Sequence, residues 1–175
     1  MPIDRLVFID EAGCNTGMAR RYARSSQGRR AHGSQPFGWG PNVTMIGALS
    51  LEGLLTLMTI TGGTTGEVFL AFVRQFLVPE LRPGDVVVLD NLSAHKVVGV
   101  REAIQQAGAQ VVYLPPYSPD FNPIEPCWSK VKTYLRARAA RTREELEDAI
   151  AEAMDLVTSS DADGWFEHCG YAESL

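Results

Sequence analysis

Cysteine is scarce in this 175-residue chain: Cys14, Cys127 and Cys169 are odd in number and lack the paired spacing of a zinc site. A disulfide framework and a structural zinc are therefore not expected, and buried or free thiols are the better reading. Long apolar runs are missing too, and none approaches the roughly 20 residues that a membrane-crossing helix needs. No charged-then-apolar leader opens the sequence, because MPIDRLVFID is too short and reads as a strand. A cytoplasmic protein without membrane contacts is expected, folded as one domain over residues 1–175. No linker, repeat or low-complexity tract divides it.

Positive charge is absent from residues 144–175, which hold ten acids and no Lys or Arg. Residues 1–143 hold all 16 basic residues against 11 acids, so a basic body precedes an acidic tail. The basic residues cluster in ARRYARSSQGRR (Ala19 to Arg30, ending in Arg29 and Arg30) and in SKVKTYLRARAARTR (Ser129 to Arg143, with Lys130 and Lys132). Either cluster alone reads equally as a solvated surface. Two of them flanking candidate acids point to a polyanion such as DNA.

Hydrophobic periodicity places the elements. RLVFID (Arg5 to Asp10) reads as a strand, and VTMIGALS and LLTLMTIT as a hairpin closed at Gly53. Between them residues 13–42, rich in Gly, Arg and Ser and containing His32, Phe37 and Trp39, are too long for a turn and form a functional excursion. TTGEVFLAFVRQFLVPEL has Val68, Phe69, Phe72, Val73, Phe76 and Leu77 at helical spacing, with Thr64 or Thr65 as cap. VVVLD (Val86 to Asp90) reads as a strand buried on both faces. A helix over NLSAHKVVGVREAIQQAG follows, capped by Asn91 or Ser93 and closed by Gly108, and then the strand AQVVYL. Near the end, Asn122, Pro123 and Glu125 resemble a capping box, and Thr142 with Glu145 forms another before TREELEDAIAEAMDLV. The tail helix fits packing on the sheet, shielding a DNA groove or docking a second protomer. The order β, ββ, α, β, α, β, α predicts an α/β fold with a mixed central sheet.

Three acids stand at element ends: Asp10, Asp90 and Glu125, the last set among the five prolines of LPPYSPDFNPIEPCW. Prolines fix φ and make a stiff connection that determines where the next helix begins. If the first strand and VVVLD are neighbours, Asp10 and Asp90 lie side by side and repel unless a cation separates them; oxygen ligands suit Mg²⁺ or Mn²⁺. Two such ions about 3.5–4 Å apart activate a nucleophilic oxygen and stabilise the leaving oxygen of a phosphodiester. Each acid has a plainer explanation as well: Asp10 in a turn, Asp90 in an Asx-turn, Glu125 in a capping box.

FIDEAG, VLDNLSAHK and LPPYSPDFNPIEPCWSKVK resemble the three catalytic segments of DDE transposases of the mariner superfamily, in its bacterial insertion-sequence branch. The 34 residues between Asp90 and Glu125 match the spacing of that branch, and the resemblance covers nearly the whole chain. It implies an RNase H-like fold with the first three strands antiparallel. It also implies cleavage of double-stranded DNA at transposon ends with two Mg²⁺ or Mn²⁺ ions, and transfer of the 3′-OH into a target, typically TA. Asp10, Asp90 and Glu125 match the metal-binding triad. A homo-oligomer on DNA, association with a bacterial nucleoid and, since only nine residues precede Asp10, a separately encoded helix-turn-helix recognition module are the further expectations.

Neighbouring residues carry smaller expectations. Strand alternation turns Glu11 away from Asp10, into a supporting role. Asn91 and His95 match the segment after the second acid, as orienters of a bound water, as phosphate contacts or as satisfied polar caps. Lys130, Lys132, Arg29 and Arg30 are candidate DNA contacts or solvated residues, and Trp128 is a core anchor before it is a stacking surface. Against a transposase stand two alternatives: a stand-alone RNase H-like nuclease that never joins strands, and a non-catalytic remnant or domesticated DNA-binding domain.

Overall fold

A computed structural model of the chain describes residues 2–171 apart from 21, 35, 37, 39 and 117. Phe37, Trp39 and Tyr117 therefore lie outside the described residues. Alternating side chains in LVFIDEAGC place β1 (Leu6–Cys14) at the centre of a five-stranded sheet, because both of its faces are apolar. The sheet runs β3-β2-β1-β4-β5, with β2 (Val43–Ser50) and β3 (Gly53–Thr61) as the hairpin and β4 (Val86–Leu89) and β5 (Gln110–Tyr113) on the other side. β1, β2 and β3 pair antiparallel, and β4 and β5 are parallel to β1 and to each other, as the mixed sheet requires. Gly53 closes the hairpin at φ +110°, a left-handed geometry that glycine tolerates.

Each face of β1 has its own core. Val7 and Ile9 join Phe69, Phe72, Val73, Leu77, Val100 and Ile104 on one side. Helix α1 (Gly66–Phe72) supplies the first of these and is capped by Thr65, whose Oγ1 accepts from Val68 N. After Phe72 the expected single helix widens into a π-turn over Val73–Leu77 and then tightens at Val78–Glu80, where Pro79 has no N–H to continue it.

The long helix expected from Asn91 or Ser93 does not form. Ser93–Lys96 makes one tight turn, and α2 covers only Val100–Gln106, starting at Gly99. Gly99 sits at φ +99° and its N–H donates to the Glu102 carboxylate at 2.8 Å. The tight turn instead carries His95 to full burial.

Leu6, Phe8 and Ala12 face the other core, under α3 (Ile124–Arg138), α4 (Arg143–Asp155) and α5 (Ser159–His168). The Thr142–Glu145 capping box of α4 forms as expected. Helix α5 was not anticipated, although Thr158 and Asp161 form an equivalent box at its start. Phe166 of α5 meets Phe8 edge-on at 5.3 Å. The acidic tail thus packs on the sheet. Among the described residues no helix is long and apolar enough to cross a membrane.

The contact between α3 and β2 is tight. A Cβ on Gly47 would stand 2.7 Å from Cη2 of Trp128, which is buried in the core. Gly47→Ala is expected to destabilise the protein by about 1–3 kcal/mol through overpacking, read as a lowered urea midpoint with an unchanged m-value.

Candidate active site

The parallel pairing of β1 with β4 matches Leu6 to Val86, Val7 to Val87 and Phe8 to Val88. Two residues further along each strand stand Asp10 and Asp90, in corresponding positions where the strands part. Asp10 is not at the end of β1, where RLVFID places it, but inside the strand: β1 continues to Cys14 and pairs Asp10 with Gly47. That removes the turn explanation for Asp10. The Asx-turn at Asp90 does form, with Leu92 N donating to Oδ1 at 3.0 Å.

Glu125 lies in the first turn of α3, but the capping box proposed for it is absent: Pro123 precedes the helix and no side chain caps it. Pro126 needs no partner for an N–H, so the proline-rich start tolerates the missing cap. With that structural role gone, the Glu125 carboxylate faces a cleft of about 520 Å³ whose walls include Asp10, Asp90, Asn91 and Asn122.

Burial pushes the Asp10 carboxyl up to about 7; the Glu11 N–H opposes this, while the charges of Glu125, Glu11 and Asp90 add to it. The proton-binding tendency of Asp10 is thus partly a response to the other acids. Trp128 holds it in place: its Nε1 donates to Asp10 Oδ2 at 3.1 Å. Trp128 is therefore an anchor, as expected, and also a positioning residue, which spacing along the chain does not reveal.

Trp128→Phe deletes that donor and leaves a gap where the outer indole ring meets Gly47. It is expected to cost about 2–4 kcal/mol and to raise the Asp10 pKa further, because the lost bond favoured the ionised form. The shift is measurable by NMR titration of the Asp10 side chain.

Behind Asp90 sits His95, fully buried. Its Nε2 donates to Glu11 Oε1 at 3.0 Å, and its Nδ1 lies 2.5 Å from Asp90 Oδ1, a contact of charge rather than an aligned hydrogen bond. Burial opposes the charged ring but is outweighed by Asp90 and Glu11, so its pKa rises to about 9 and it is an imidazolium at neutral pH. Burial likewise acts against the Asp90 anion, and His95, the Leu92 N–H and Lys96 overcome it and lower its pKa. Glu11 points away from Asp10, as alternation requires, and supports Asp90 through His95. In this position His95 is screened from water and phosphate by the residues around it, including Phe69, whose ring lies 4.1 Å from its own.

The other candidates separate. Asn91 is exposed on the cleft wall. Lys130 faces α5 and pairs with Asp161 at 2.5 Å, away from the acids. Lys132 is half-buried on α3, and Arg29 and Arg30 are exposed on the long connection. Sequence reasoning missed Asn122 as a site residue: it is 5% exposed and borders the cleft, and its Oδ1 has no partner among the described residues.

The donor set suits a hard divalent cation, since it is all carboxylate and amide oxygen and the charges of Glu125, Glu11 and Asp90 add to the proton affinity of Asp10. Among the described residues no three acids, histidines or cysteines stand close enough to grip one ion together. The acids fit ions shared in subsets, with water or substrate oxygens completing each shell.

A mixed sheet in this strand order, with carboxylates where its central strands part, defines an RNase H-like α/β domain. The model of the DDE superfamily endonuclease family matches residues 5–147, and the chain belongs to that family. Its fold is similar to that of Mos1 transposase in a paired-end complex with the left transposon end, at a TM-score of 0.72 and 14% identity over 96% of this chain and 52% of that one. The Mos1 strand transfer complex gives 0.69 and 15%, over 96% and 51%. The catalytic domain of Mos1 mariner transposase gives 0.64 and 13%, over 96% and 76%. The chain thus spans about half the length of the transposase chains in the two complexes. No curated protein sequence matches significantly.

Proposed function

We propose that this chain is the catalytic domain of a DDE transposase, in the bacterial insertion-sequence branch of the mariner superfamily, acting on transposon ends and TA target sites. The observation that carries the reading is the register: Asp10 and Asp90 occupy matching places on adjacent strands, and Glu125 faces them across one cleft. Asp10, Asp90 and Glu125 would hold two Mg²⁺ or Mn²⁺ ions. Such ions, when bound, activate an attacking oxygen and stabilise the departing one.

The chain's own residues do the rest. His95 and Glu11 hold Asp90 ionised and immobile. Trp128 fixes the rotamer of Asp10. The proline-led start of α3 presents Glu125 without a capping bond to compete for it. Asn122 and Asn91 offer polar contacts to a phosphate or sugar in the cleft. No side chain need act as nucleophile, because water and then a DNA 3′-OH serve in turn. Recognition of the ends falls to a helix-turn-helix module outside these 175 residues, and the active species is a homo-oligomer on double-stranded DNA at the bacterial nucleoid.

The test is joining. A labelled oligonucleotide with a free 3′-OH is incubated with supercoiled plasmid and Mn²⁺, and covalent joined product is expected. Nicking without joined product would identify a stand-alone nuclease. Duplex binding with neither reaction would identify a DNA-binding remnant.

A further inference from the structure

A second cavity, of about 450 Å³, opens between the long β1–β2 connection and α3, lined by Arg20, Tyr22, Thr133, Arg136 and Ala137. The two basic segments, far apart in sequence, meet here. Arg141 ties them together: its Nη1 donates to the carbonyls of Thr16 at 2.9 Å and Met18 at 3.1 Å, fastening the root of the connection to the junction of α3 and α4. Tyr22 is 90% exposed, so core packing does not account for an aromatic ring beside two arginines. Among the described residues neither Arg20 nor Arg136 pairs with an acid, whereas Arg138 pairs with Glu152 at 3.1 Å.

Helix geometry links this cavity to the acids. Glu125 and Arg136 are eleven residues apart, which is three turns plus about 20°, so both lie on one face of α3 about 16 Å apart. Ser129 and Thr133 are exposed on the same side between them. An axial rise of 16 Å is about five base pairs of duplex.

We propose that this cavity is a nucleic-acid subsite for the DNA flank: Arg20 and Arg136 take backbone phosphates about five base pairs from the scissile one, and Tyr22 stacks on a base where that flank is single-stranded. Arginine and an exposed aromatic together are the chemistry that holds a polyanion carrying flat bases. The assignment rests on reading the acid cleft as a DNA-cleaving centre.

The experiment is fluorescence anisotropy of the full chain with a labelled 20-base-pair duplex, without divalent metal, over a range of salt. For the Arg20→Ala/Arg136→Ala double variant the slope of log K against log salt is expected to fall by about 1.8, or about 0.9 for each single variant. Arg138→Ala, whose side chain is engaged by Glu152, should leave the slope unchanged. Tyr22→Ala should weaken binding of a duplex with a single-stranded extension at least about fivefold and that of a blunt duplex far less. An unchanged slope in the double variant, with thermal melting matching the parent, overturns the subsite. If metal-dependent cleavage survives alongside that result, the reading of the acids stands without it. Conversely, a lowered slope in a chain that never cleaves DNA retains the surface and removes the reading of the acids.

Discussion

Glu125→Gln is expected to lower Mn²⁺-dependent strand cleavage by about a hundredfold to a thousandfold, the range seen when a single preorganised electrostatic group is removed, while shifting stability by less than about 0.5 kcal/mol. The asymmetry follows from the structure. Glu125 is exposed, lies in the first turn of α3 and makes no capping bond, so an isosteric amide removes a charge and little else. Single-turnover cleavage of a labelled duplex and a urea melt on the same preparation read both quantities. A loss of activity below tenfold would remove Glu125 from the site. A large loss of stability would mean that its role is structural after all.

Asp90→Asn is a poorer probe, although by sequence it is the equivalent substitution. Asp90 is one of two carboxylates neutralising the buried imidazolium of His95, the other being Glu11. Removing one partner of a buried ion pair costs far more than the pair contributes, because the remaining charge is stranded. Loss of activity in that variant mixes chemistry with local rearrangement, and Glu125→Gln separates them.

The sheet and the three acids are legible in the sequence for physical reasons that are local. Alternation in LVFID and the unbroken apolar run VVVL mark strands, and Thr142 with Glu145 announces a helix start within four residues. What escapes are contacts between residues distant along the chain. Nothing near Trp128 signals that its N–H serves Asp10, and nothing near His95 signals Glu11 as its partner. Helix α2 starts late for a related reason: burying His95 between two carboxylates draws the preceding turn inward, and Gly99 absorbs the break in direction. The apparent capping box at Asn122 fails because a proline stands at each side of the Ile124–Glu125 pair, fixing the backbone before the side chains can choose. Helix α5 was within reach, since Thr158 and Asp161 repeat the spacing of Thr142 and Glu145, but its single turn of apolar residues is too weak to register as a periodic pattern.

Metal-free protein is expected to lose stability as pH rises from about 5 to 8, and Mn²⁺ to restore it at pH 8 far more than at pH 5. Asp10 has its folded pKa raised from 3.8 to about 7, so its contribution is fully present below 3.8 and is lost as pH rises through 7. His95, raised from 6.5 to about 9, acts in the same direction over a higher window: its contribution is complete below 6.5 and is lost towards 9. Asp90 acts oppositely, because its lowered pKa gives a contribution that disappears only in acid, below its ordinary 3.8. Between pH 5 and 8 the Asp10 part alone is on the order of 2–3 kcal/mol at 1.36 kcal/mol per pH unit. That corresponds to roughly 5–10 °C in melting temperature for a domain of this size. Asp10→Asn tests the cause, since an amide oxygen still accepts from Trp128 but carries no charge for burial and the other acids to oppose. In EDTA at pH 8 the variant should melt above the parent, with most of the pH dependence between 5 and 7 removed and little further gain from Mn²⁺. A parent whose melting temperature is flat over that range, or a variant that Mn²⁺ stabilises as strongly as the parent, would show that burial and the neighbouring acids do not hold Asp10 protonated in the metal-free cleft.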